Sequence, residues 1–72
     1  MRQSPRKQPY ETIATRFNLE RGKSVSIVRD MDEEIYYTGF SLTIDNINNT
    51  PYGCRTSYSE EDAYNDLMDM AE

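Results

Sequence analysis

Between Ile35 and Ile44 the side chains alternate with period two: Tyr36, Thr38, Phe40, Leu42 and Ile44 share one face, and Ile35, Tyr37, Gly39, Ser41 and Thr43 the other. That is the pattern of a half-buried β-strand, and the first set is expected to face the core. A second β-rich run, Ser24-Val-Ser-Ile-Val-Arg29, is joined to it by the polar turn Asp30-Met-Asp-Glu-Glu34. Upstream, residues 10–19 carry two competing periods. Tyr10, Ile13, Ala14 and Phe17 fit a helical face behind Pro9, whereas Ile13, Thr15, Phe17 and Leu19 alternate with Ala14, Arg16 and Asn18 as in a strand. The short turn Glu20-Arg-Gly-Lys23, whose Gly22 can take positive φ, favours a hairpin and therefore a strand; a helix capped by the same glycine is the alternative.

After Ile44 the run Asp45-Asn-Ile-Asn-Asn-Thr-Pro51 reads as a loop. Alternation of Tyr52, Cys54, Thr56 and Tyr58 with Gly53, Arg55 and Ser57 then suggests a short fourth strand. The end is helical: Ser59 can cap the first turn, Asp62 occupies the capping-box position, and Glu60, Glu61 and Asp62 complement the helix dipole. Ala63, Leu67, Met70 and Ala71, widened by Tyr64 and Met68, form its apolar face. The expected fold is α+β, a small antiparallel meander of three or four strands with one C-terminal helix packed on one face. Ile13, Phe17, Val25, Ile27, Phe40, Leu42, Ile44, Leu67 and Met70 are expected to supply most of the core. Residues 1–9, with Arg2, Arg6, Lys7, Pro5 and Pro9 among polar neighbours, are expected to be a flexible basic arm before a single domain over 10–72.

A chain of 72 residues with 36% hydrophobic and 29% charged side chains has room for one thin core. Six Tyr and two Phe supply more aromatic area than disordered chains have. Cys54 is the sole cysteine, so no internal disulfide is available, and a reducing, cytoplasmic setting is expected. No run approaches a membrane span of about 20 apolar residues, and the first residues lack the apolar stretch of a secretory signal.

Catalytic constellations do not emerge. There is no histidine, hence neither the commonest general base nor the commonest neutral metal ligand. Cys54, without an imidazole partner, is expected to be a small half-buried strand residue. Gly22-Lys23-Ser24 ends like a P-loop, but Phe17 stands where the first glycine belongs. Asp30, Asp32 and Glu34 have the spacing of a calcium loop, yet Ile35 replaces its glycine and Ser41 its bidentate acid. Asn48-Asn-Thr50 matches a glycosylation sequon that is followed by Pro51. No metal or cofactor and no enzymatic activity are expected.

Charge changes the picture most. Residues 1–29 hold seven basic side chains against Glu11 and Glu20, net +5, while residues 30–72 hold eleven acids against Arg55, net −10. This asymmetry speaks about partners and encounter rates. The candidate partner-binding residues are Asp32, Glu33, Glu34, Glu60, Glu61, Asp62, Asp66 and Asp69, the densest one-sign charge in the chain. They suit a basic surface on a protein partner, and where that surface binds nucleic acid the carboxylates would stand in for phosphates. In size, acidity and lack of catalytic residues the chain resembles the small inhibitors made by bacteriophages and mobile elements, such as anti-CRISPR proteins and uracil-DNA glycosylase inhibitors. That resemblance implies a non-enzymatic inhibitor acting by nucleic-acid mimicry.

Two other readings remain. In outline, a three-stranded sheet followed by a helix is similar to the AP2-like and integrase arm-binding domains, which read DNA with strands; Arg16, Arg21, Lys23 and Arg29 would then contact phosphates. The long connection from Ile44 to Ser59 departs from that outline, and net −5 opposes polyanion binding. A structural subunit whose oppositely charged ends meet between copies is the third. A continuous basic stripe would favour nucleic acid, and scattered basic residues would leave the acids as the candidate surface.

Overall fold

The computed structural model describes residues 9–50 and 52–71. Four strands, β1 (Tyr10–Asn18), β2 (Lys23–Asp30), β3 (Ile35–Phe40) and β4 (Arg55–Ser57), form an antiparallel sheet in the order β1-β2-β3-β4, and one helix, α1 (Glu60–Ala71), packs on one face. The α+β meander expected from the two periodicities is what the chain adopts. The expected arm lies outside the described residues except for Pro9, whose carbonyl accepts the Met31 N–H at 2.8 Å and so joins the fold.

Val25, Ile27, Tyr36, Ala63 and Leu67 form the core, with Ile13, Ala14, Phe40, Met70 and Ala71 packed around it. Residues directly opposite in an antiparallel pair share a face. The pairs Val25↔Phe40, Ile27↔Thr38 and Arg29↔Tyr36 therefore place six side chains toward α1. Across β1 and β2 the same holds for Ala14↔Ile27 and Arg16↔Val25. The strand reading of residues 10–19 was the right one, but its face was not. A β-bulge between Thr12 and Ala14 leaves Ile13 unpaired and inverts the alternation beyond it, so Ala14 turns inward and Phe17 outward. Phe17 is consequently exposed rather than in the core, and Leu19, in the turn, is almost wholly exposed.

β3 also stops earlier than its pattern suggested. Ser41 takes a left-handed φ of 55°, and the Asn46 side chain captures the following backbone, accepting from Thr43 N–H and donating to the Ser41 carbonyl, each at 2.8 Å. This local competition ends the ladder. Leu42 is buried outside the strand, and Ile44, expected in the core, is exposed. The fourth strand is shorter than the alternation from Tyr52 to Tyr58 implied. Cys54 falls outside it and is exposed, which corrects its reading as a half-buried strand residue.

On the face away from α1 the chain returns close over β3. A Cβ built on Gly39 would stand 2.8 Å from the Gly53 carbonyl oxygen and 3.0 Å from the Cys54 Cβ, so glycine is required there by the approach of backbone rather than by φ. Ser59 caps α1 as expected, its Oγ accepting the Asp62 N–H at 3.2 Å. At the other end Asn18, 3% exposed, donates through Nδ2 to the Met70 carbonyl at 2.7 Å and accepts the Arg21 N–H at 2.8 Å. One side chain thus satisfies an orphan carbonyl of the helix end and fixes the β1–β2 turn. Asn18→Ala should cost about 1–2 kcal/mol in equilibrium denaturation, because two partly buried hydrogen bonds are lost.

Candidate functional site

The registers decide how the charges are distributed. Asp30↔Ile35 closes the β2–β3 turn, Tyr36↔Ser57 brings the end of β4 beside it, and α1 begins three residues later. Asp32, Glu33 and Glu34 therefore share one end of the sheet with Glu60, Glu61 and Asp62, although 26 residues or more separate the two sets in sequence. Asp30 lies at the same end, and all six candidates are exposed. Asp30 shapes the turn, its Oδ1 accepting the N–H groups of Asp32 at 3.0 Å and Glu33 at 3.4 Å. Glu34 closes it at a left-handed φ of 56°. Asp30 thereby acts as an Asx-turn residue. Among the described residues no group of three or more His, Cys, Asp or Glu could hold a metal ion.

Little opposes this charge locally. Arg29 reaches Glu34 at 4.0 Å and lies 5.9 Å from the Tyr36 ring centroid. The local field is felt by Tyr37, whose phenol is pushed above 10.0 first by burial and then by the negative charge of Asp30, with Glu33 adding to it.

Asp66 and Asp69 belong elsewhere. Arg55 Nη1 stands 3.2 Å from Asp66 and 3.0 Å from Asp69, and Ser57 Oγ donates to Asp66 at 3.2 Å. These carboxylates and Arg55 form a surface cluster of net −1 tying α1 to β4, and the pair of acids holds Arg55 more firmly protonated. In sequence both belong to the densest one-sign charge in the chain; Arg55, eleven residues from Asp66, is the partner that the fold brings to them. Such exposed pairs contribute little stability, but they remove Asp66 and Asp69 from the acidic surface.

The basic candidates do not form one stripe. Arg16, Arg21 and Lys23 gather at the β1–β2 end, opposite the acids, whereas Arg29 lies among the acids at the far end of β2. Arg21 sits 5.3 Å from the Phe40 ring centroid and Lys23 5.0 Å from that of Tyr52, contacts that hold both cations against the protein's own surface. A shallow groove of about 260 Å³ lies at this end between Asn18, Glu20, Arg21, Phe40, Arg55 and Asp69, so carboxylates and guanidinium groups share its lining. Among the described residues no helix is long and apolar enough to cross a membrane.

Compared with known proteins, the chain matches no family model, no curated protein and no solved structure.

Proposed function

We propose that the protein is a non-enzymatic binding module that seats its acidic end on a basic surface of a partner protein. The observation that carries this reading is the convergence of Asp32, Glu33, Glu34, Glu60, Glu61 and Asp62 at one end of the sheet, exposed and opposed nearby only by Arg29 among the described residues. Uncompensated charge of one sign concentrated on one end speeds encounter with an oppositely charged surface. Two spaced rows of carboxylates, one on a turn and one on a helix N-terminus, suit a surface built to grip phosphates. Inhibition of a nucleic-acid-binding protein by mimicry is the form of the proposal that this arrangement supports best.

The separation of Arg29 from Arg16, Arg21 and Lys23 weighs against a nucleic-acid-reading sheet. The test is competition. A protein captured from lysate on the immobilised chain at low salt should be released by duplex DNA, and the chain itself should not retard the same DNA in a gel. Retardation of the DNA by the chain alone, abolished by neutralising Arg16, Arg21 and Lys23, would replace this proposal with the basic-surface reading.

A further inference from the structure

β1 is an edge strand nine residues long, and among the described residues nothing pairs with its outer side. Edge strands are blunted by prolines, charged side chains, bulges or a covering segment, because a row of unpaired N–H and C=O groups is a template for another strand. Tyr10–Asn18 holds neither proline nor lysine, and its two charges, Glu11 and Arg16, are of opposite sign. Its one irregularity is the bulge at Ile13, and that bulge has a specific consequence for self-pairing.

In a regular strand, residues an odd number of positions apart lie on opposite faces. Here Tyr10, Thr12, Thr15 and Phe17 pair with Asp30, Val28, Ser26 and Ser24, all on the face away from α1, while Glu11 and Arg16 pair with Arg29 and Val25 on the helix face. The bulge thus gives the strand an approximate mirror order about the Ile13–Ala14 bond. An antiparallel β1 from a second molecule, related by a two-fold axis at that bond, sets Tyr10 against Phe17, Glu11 against Arg16 and Thr12 against Thr15, each pair on a common face. The backbone agrees. The Pro9 carbonyl faces β2, where it accepts the Met31 N–H, and Asn18 directs its carbonyl to the Gly22 N–H, so alternation leaves the peptide groups of Tyr10, Thr12, Thr15 and Phe17 facing outward.

We propose that this edge is a homodimer interface, a two-fold β1–β1 pairing that continues the sheet across two copies of the chain. The self-complementary register selects a second copy over an unrelated strand, since one arrangement satisfies two opposite-charge pairs, two aromatic pairs and two threonine pairs at once. Half-exposed Phe17 would gain cover, as would the groove of about 190 Å³ that it shares with Arg16, Met68 and Ala71. This surface is distinct from the acidic end, and the chain alone suffices to examine it.

The experiment is sedimentation equilibrium of the chain over a concentration series at low salt, with melting temperatures recorded for each variant. The wild type should dimerise. Glu11→Arg sets like charges opposite each other twice per dimer, and Arg16→Glu does the same with the opposite sign, so each should weaken association roughly tenfold without altering the fold. Mixing these two single variants should restore it, because the heterodimer has opposite charges at both positions; the double variant E11R/R16E should dimerise like the wild type. A chain that is monomeric throughout, a dimer indifferent to either single change, or single variants that do not recover on mixing would each overturn the proposal.

Discussion

Truncation of Leu67 to alanine is expected to cost about 2–5 kcal/mol, the range for removing a fully buried leucine and leaving part of its cavity. Leu67 has no exposed surface and is the larger of the two buried residues by which α1 meets the sheet, the other being Ala63. A domain of this length has about 4–10 kcal/mol of total stability, so the variant should lose roughly half of it or more. Urea denaturation followed by circular dichroism measures this directly: a midpoint within experimental error of the wild type would mean that α1 is not docked as described. Phe40→Ala serves as the comparison. It was expected to be a core residue, yet it is half-buried and covered on one side by Arg21, so about 1–2 kcal/mol is the expected loss.

That contrast shows which parts of the fold could be read from the chain. A β-rich run identified β2, alternation β3 and the 3.6-residue period the helix, and Val25, Ile27 and Leu67 are fully buried where they were expected. Phe17 and Ile44 were misplaced for two different physical reasons. A bulge adds one residue to one strand only, so it leaves no mark on composition while inverting every face beyond it. The break after Phe40 comes from Asn46 bonding back to Thr43 and Ser41, a loop geometry that a run of apparently alternating residues conceals. Fourth-strand length was illegible because only Arg55–Ser57 finds a ladder on β3.

The candidate site was legible in a similar, partial way. Local density singled out the turn acids and the helix acids, but their meeting at one end depends on strand register, which no count of charges contains. Asp66 and Asp69 looked unopposed because a helix read alone shows only its own charges, and Arg55 arrives from the neighbouring strand. Arg29 looked like a companion of Arg16 and Arg21, yet β2 carries it to the other end of the sheet.

Reversing Asp32, Glu33 and Glu61 together to lysine should therefore slow association with the partner roughly 10–100-fold at low salt. These three are chosen because they stand on both rows of the acidic end, and no side-chain hydrogen bond or ion pair of theirs is seen among the described residues. Asp66 would be a poor choice, since its loss would also release Ser57 from α1 and leave Arg55 only Asp69 there. The attraction acts over distance, so the deficit should shrink as salt shortens the Debye length from about 10 Å at 0.1 M to about 3 Å at 1 M. Dissociation should change much less than association, because rim charges steer encounter more than they hold the complex. Stopped-flow or surface-based kinetics against the captured partner, at three salt concentrations and with circular dichroism confirming the fold, would measure both rates. If the reversed chain associates as fast as the wild type at low salt while the variant lacking Arg16, Arg21 and Lys23 does not bind, the working surface is the basic end and the acidic end is a solvated face.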